Sequence, residues 1–272
     1  MPPNNDLPPR TAVAGPGRAL GPSGTPDDDY ARLHAADYDR WFAKTDVTPA
    51  TVDLLARLAG PGPVLELGIG TGRLALPLAR RGHDVHGIEA SEEMLRELRA
   101  KPGGTRIPVT VGDFAEVPAP GPFSLVYAAG GTFFELPDRD AQRHCLRQVA
   151  AKLTPGGRFV LDALVPETLA VAAASGTTET VSERDGRLVR CRRRIDHSTR
   201  SYQSHYVIHE DGRTHHVRVR FHYLSPGELD LLAESAGLRL AERHGTWDAG
   251  AFTGDSTYHV SVYERPTARS TS

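Results

Sequence analysis

Cysteine is nearly missing from this chain: Cys145 and Cys191 are the two among 272 residues. They lie far apart and without CxxC spacing, which excludes a zinc-binding signature and a disulfide framework. No apolar run approaches the ~20 residues of a membrane span. A basic start followed by a hydrophobic stretch is also missing, so neither a signal peptide nor a membrane partner is expected, and the expected location is cytoplasmic. A formal charge of −2 gives no bulk attraction to nucleic acid. Lysine is scarce beside arginine. Twelve histidines invite a metal reading, with His215, His216, His222 and His259 as candidates. They form no HxxxH or His/carboxylate set on one helix face, so they read as solvated or sheet-packed and no metal is expected. One of them could still act as a general base.

What is present is concentrated in Val64-Leu65-Glu66-Leu67-Gly68-Ile69-Gly70-Thr71-Gly72. An apolar strand ending in an acid opens into a turn with glycine at alternate positions, and a helix over Arg73 to Arg80 is expected to follow. Such a turn lets a ligand lie against the backbone, and the helix directs free N–H groups at it. A dinucleotide fingerprint needs G-x-G-x-x-G. Here the third glycine comes one residue early, and Arg73 occupies the fingerprint position. Glu66 would sit close to a pyrophosphate, whereas it suits a cationic or zwitterionic ligand.

Further signals follow in order. Asp84 to Glu89 reads as a second strand ending in an acid, then Ala90-Ser91 and a helix with Met94 and Leu95. A third strand over Ile107 to Val111 leads into Gly112-Asp113-Phe114. Ser124 to Ala129 reads as a fourth strand and Asp138 to Leu153 as a long helix. Pro155-Gly156-Gly157 introduces a fifth strand, Arg158 to Ala163. Helices are also expected over Tyr30 to Phe42 and Thr48 to Ala59. The alternation predicts a parallel sheet covered on both faces.

From Thr177 to Leu224 the pattern changes to about four short antiparallel segments, and two of the three turns between them contain Asp-Gly. In the last, Val217, Val219, Phe221 and Tyr223 share one face, and His216, Arg218, Arg220 and His222 the other. Arg190, Arg192 and Arg194 alternate along a second segment and read as a wet face. Ser225 and Glu228 form a capping-box pattern for a helix ending at Gly237, and Arg239 to His244 and Thr257 to Glu264 read as a closing hairpin pair. The expected organisation is a disordered tail (1–28), an α/β core (29–176), the insert (177–224), the C-terminal part of the core (225–265) and a short tail (266–272).

The glycine turn and the three acids after it resemble the class I S-adenosylmethionine (SAM) methyltransferases, with motif E/D-x-G-x-G-x-G. The resemblance implies a Rossmann-like seven-stranded sheet with helices on both faces, plus an inserted antiparallel sheet as in small-molecule methyltransferases acting on amino sugars and antibiotics. It also implies a cofactor site. Glu66 would lie at the amino-acid end of SAM, Glu89 on the ribose, Asp113 on the adenine amino group and Phe114 near the ring. Gly68, Gly70, Arg73, Ala90, Met94, Gly112, Ala128 and Ala129 would complete it. Tyr38 and Tyr30 would form a lid over cofactor and acceptor. Phe133, Phe134 and Glu135 would face the acceptor, Glu135 standing where a histidine is active in the amino-sugar N-methyltransferases. The reaction implied is methylation of a small-molecule amine. O- or C-methylation, including alkylation of an isoprenoid double bond, SAM binding without transfer, and an NAD-dependent oxidoreductase are the alternatives. Self-association through the insert's exposed edges is a further expectation.

Overall fold

The computed structural model describes residues 30–42, 47–174, 176 and 178–267. Side chains of residues 30–34, 47, 172 and 173 are outside that description, as are the expected tail over 1–28 and residues 268–272. Tyr30 opens a helix, and its proposed lid role falls on a side chain outside the described residues.

Two helices precede the first strand: α1 (Tyr30–Phe42) and α2 (Val47–Leu58). The latter buries Val52, Leu54, Leu55 and Leu58, and Gly60-Pro61 stops it. The strand β1 (Val64–Leu67) is buried at all four positions, as expected of a strand covered on both faces. Then come α3 (Ala75–Arg80), β2 (Val85–Glu89), α4 (Glu92–Ala100), β3 (Val109–Val111), β4 (Phe123–Ala128), α5 (Arg139–Lys152) and β5 (Leu153–Leu164). Two of the helices carry side-chain caps, Ser91 accepting from the Met94 amide and Asp138 from the Ala141 amide. Helix α3 starts two residues later than its sequence suggests. Gly72 takes φ +77°, so Arg73 and Leu74 finish the turn instead of opening the helix.

An unexpected helix, α6 (Pro166–Ala174), follows β5. Its alanine-rich sequence shows no apolar stripe from which to read it. Four antiparallel strands come next: β6 (Thr178–Arg184), β7 (Arg187–Asp196), β8 (Ser201–Glu210) and β9 (Arg213–His222). The chain returns through α7 (Pro226–Ser235), with the Ser225/Glu228 capping box formed, to β10 (Arg239–His244) and β11 (Tyr258–Glu264).

The larger sheet has order β10-β11-β5-β4-β1-β2-β3, and the smaller runs β6-β7-β8-β9. Strands β1 to β5 are parallel, and β11 lies antiparallel to β5 with Val260 opposite Asp162. The order reverses between β1 and β4, so the crevice at their carboxyl ends is where a ligand binds in such sheets. The inner face of the small sheet (Val189, Tyr202, Ile208, Val217, Val219, Phe221) belongs to the same buried cluster as Trp41, Leu65, Phe133 and Leu161. Both thiols are buried, Cys145 on α5 and Cys191 on β7. Among the described residues, no helix is long and apolar enough to cross a membrane.

Candidate active site

The three glycines of the turn do different things. A Cβ on Gly68 would fall 2.8 Å from Thr132 Cγ2, and one on Gly72 would fall 2.3 Å from Leu98 Cδ1. These two let the turn pack against the loop after β4 and against α4. At Gly70 (φ +53°) the nearest atom a Cβ would meet is the turn's own Gly68 carbonyl oxygen, at 4.0 Å, leaving room beside the backbone for a ligand. The Gly70 amide donates to Glu89 Oε2 at 2.9 Å.

Glu89 also accepts from the amides of Ala90 (3.0 Å) and Ser91 (2.9 Å). Of the roughly four acceptor positions of a carboxylate, three are thus spent shaping the turn. Glu66, at the adjacent strand end, is 6% exposed and accepts from the Tyr127 hydroxyl at 2.8 Å. Burial pushes its carboxyl up to about 8, against the opposing effect of the Tyr127 hydrogen bond and of Arg73. Arg73 reaches back to donate to Thr48 Oγ1 at 2.9 Å. The third acid, Asp113, is exposed; its Oδ1 accepts from the Ala115 amide at 2.8 Å, which leaves Oδ2 turned to other partners. Ala90, Gly112 and Phe114 are half-buried around this rim, while Met94 is buried on α4.

A roof lies over the turn. Asp39 of α1 accepts from Thr71 Oγ1 and from Lys101 Nζ, and the same ammonium donates to the Thr71 carbonyl at 2.7 Å. Two residues on, in the same last turn of α1, Trp41 Nε1 donates to Glu210 Oε2 at 3.0 Å while Arg187 Nε donates to Oε1 at 2.8 Å. Arg40 pairs with the same carboxylate at 3.1 Å. The last turn of the roof helix is therefore fastened to the glycine turn through Asp39 and to the small sheet through Arg40 and Trp41. Next to Asp39, burial raises the Tyr38 phenol; Arg73 opposes this and the charge of Glu135 adds to it. Tyr38, Arg73 and Glu135 therefore share one electrostatic environment.

The loop after β4 supplies the opposite wall. Ala128 is fully buried and Ala129 partly so; Gly130 and Gly131 take φ +81° and +82°. A 3-10 turn over Thr132–Glu135 buries Phe133, Phe134 and Glu135. Phe133 packs edge-on against Phe159 and Phe134 (ring centroids 6.0 and 5.2 Å) and is 0% exposed, so its ring is spent on the core. One residue of this region goes unnoticed in the sequence. Asp162, 3% exposed on β5, accepts from the Gly131 amide at 3.2 Å and from the Tyr258 hydroxyl. A lone acid in the apolar run Phe159-Val160-Leu161-Asp162-Ala163-Leu164 is the signal that could have found it, because a buried carboxylate needs partners.

Residues 64–157 match the family model for a methyltransferase domain. The solved CcbJ methyltransferase of Streptomyces caelestis is 37% identical, with a TM-score of 0.78 over 89% of this chain and 99% of that one. A cypemycin N-terminal methyltransferase from a Streptomyces species is 27% identical over 74% of this chain and 82% of its own length. A SAM-bound amino pentose methyltransferase of Micromonospora echinaspora, involved in calicheamicin biosynthesis, shares the fold at 19% identity and a TM-score of 0.60, covering 86% of this chain and 91% of that one. This chain belongs to the SAM-dependent methyltransferases. It is an enzyme of that family with a Rossmann-like fold and an added antiparallel sheet, and S-adenosylmethionine is its cofactor, which sets aside the nicotinamide reading.

Proposed function

We propose that the acceptor is an amine nitrogen on a small natural product, such as an antibiotic. The observation that carries this reading is Glu135, a carboxylate 6% exposed, held by the loop after β4 and sharing its field with Tyr38. An amine reaches the enzyme as an ammonium. A shielded carboxylate attracts that cation more strongly than water-exposed charges would and can take its proton, and the Tyr38 hydroxyl helps to orient it. Isoprenoid alkylation would ask instead for open aromatic faces around a carbocation. Trp41, Phe133, Phe134 and Phe221 are all under 8% exposed and packed among themselves and their neighbours, which favours the amine. The N-terminal amine acted on by the cypemycin enzyme is chemistry of the same kind.

The cofactor, when bound, supplies an activated methyl group. The residues suit it. Buried Glu66 matches its cationic amino-acid end, and Arg73 adds positive charge for the neighbouring carboxylate. Gly70 leaves the backbone open, with Gly68, Ala128 and Ala129 shaping the wall. Glu89 keeps one acceptor position for the ribose. Oδ2 of Asp113 serves the adenine amino group, with Phe114, Gly112, Ala90 and Met94 around the ring. Phe134 backs Glu135, and α1 excludes water from above.

The test is to supply the full chain with methyl-labelled SAM and a panel of peptide N-termini, amino sugars, phenols and prenyl diphosphates. Amine methylation with release of S-adenosylhomocysteine is expected. Glu135→Gln should lower kcat/KM by roughly a hundredfold and leave SAM affinity unchanged. Turnover confined to phenols or alkenes, binding of SAM without turnover of any acceptor, or an unaltered Glu135→Gln enzyme overturns the proposal.

A further inference from the structure

Several arginines of the described surface are paired with acids: Arg81 with Asp53, Arg96 with Glu93, Arg200 with Glu228 and Arg243 with Asp230. The outer face of the small sheet gathers arginines that are not so paired on neighbouring strands. Across its strands, Arg192 stands opposite His205, which stands opposite Arg218, and Arg194 opposite Gln203, which stands opposite Arg220. Arg190, Arg192, Arg194 and Arg220 are exposed, and no carboxylate among the described residues forms an ion pair with them. The acids on these rows are Asp196, whose Oδ1 is taken by Ser198 and Thr199, and Glu183 at the far end beside Leu188. Like charges on neighbouring strands repel. In a chain of net charge −2, their accumulation is not a matter of composition.

The face ends in a cavity. The pairing of β6 with β7 begins at Thr178 opposite Arg192, and beyond it α6 stands over the edge of β7. The cleft between them has a volume of about 600 Å³ and is lined by Arg192, Arg193, Arg194, His197, Gln203 and His205, with alanines of α6 and Ile195 as its apolar part. Among the described residues, no carboxylate lines it. Arg193 differs from its neighbours in direction. It pairs through Nη1 with Glu179 at 2.6 Å, but its Nε is buried without a hydrogen-bond partner. A buried donor left unmatched costs about 1–3 kcal/mol, and such groups in folded proteins are nearly always satisfied by something.

We propose that this cleft is a binding site for a small molecule bearing a phosphate or carboxylate group, seated by Arg192, Arg193 and Arg194 with Gln203 and His205 completing the wall. Guanidinium groups match such oxyanions with paired, charge-assisted hydrogen bonds, and the volume lies within the range of small-molecule sites. The oxyanion has two possible sources, an acidic arm of the methyl acceptor or a separate anionic ligand. The site itself does not depend on which atom is methylated.

The experiment is calorimetric titration of the full chain with inorganic pyrophosphate at about 0.15 M salt, where screening limits diffuse attraction. Saturable one-to-one binding is expected. In an Arg192→Ala/Arg194→Ala variant it should weaken by about tenfold or more, with SAM affinity and Tm unchanged because both side chains are exposed. An Arg96→Ala/Arg239→Ala variant, which removes the same charge elsewhere, should bind like the parent. Absence of saturation, or equal weakening in both variants, overturns the proposal. Adding pyrophosphate to the methyl-transfer assay separates the sources. A raised KM for the amine assigns the oxyanion to the acceptor; an unchanged KM assigns it to a separate ligand. Both of these results uphold the site.

Discussion

Glu66 has its carboxyl at about 8 through burial, against an ordinary 4.5. The folded protein keeps a proton there that the unfolded chain gives up. Glu66 therefore contributes stability fully below about pH 4.5, and that contribution is lost as pH rises through about 8. A cation docking beside the group reverses the preference and expels the proton. At about pH 7, SAM binding measured calorimetrically in buffers of different ionisation enthalpy should release close to one proton, and the Glu66→Gln protein should release none from this source. Equal release by the two proteins would remove Glu66 from the cofactor's amino-acid end. At this scale the strand-end acids were legible because each stands where an apolar run meets a glycine or a helix cap. The division of labour among the glycines was not. That Gly68 and Gly72 yield to Thr132 and Leu98 depends on chain segments 64 and 26 residues away. Asp162 escaped for a similar reason, since its partners Gly131 and Tyr258 come from two other elements.

At the scale of elements, the informative one is α1. Its two fastenings make Glu210 a node for Trp41, Arg40 and Arg187. Removing the carboxylate leaves the indole N–H and Arg187 without that acceptor, at a cost of about 1–3 kcal/mol. A Glu210→Ala enzyme is expected to show faster amide hydrogen exchange along α1 and a lower kcat/KM for the acceptor, while the Asp39–Lys101 contact keeps the turn shaped and SAM affinity near normal. Exchange unchanged along α1 would mean that apolar packing of Trp41 alone secures the helix. The boundaries of most elements follow from caps and periodicity, as in α7, whose capping box was readable in Ser225 and Glu228. Helix α6 was not readable, because alanines satisfy any helix face and so mark none. The late start of α3 follows from the left-handed Gly72, a conformation visible only once Leu98 is in place.

For the whole molecule, the two sheets share one buried cluster, a connection that the sequence, with its change of pattern near Thr177, presents as a division. One cooperative thermal transition is expected, with calorimetric and van't Hoff enthalpies equal; two resolved transitions would show that the sheets unfold separately. The thiols offer a finer measurement. Cys145 lies on the buried face of α5, in the large sheet's helical cover, and donates to the Phe114 carbonyl at 3.7 Å; Cys191 lies on the inner face of the small sheet. Burial pushes both thiols up from their ordinary range, so neither presents a thiolate to a labelling reagent while the fold is closed. Each sheet, with the helices packed on it, thus has its own chemical clock. With a fast reagent, matching labelling rates at the two positions would mean that the halves open as one body, and a Cys191 rate well ahead of Cys145 would time the departure of the roof's second anchor from the cofactor-binding half.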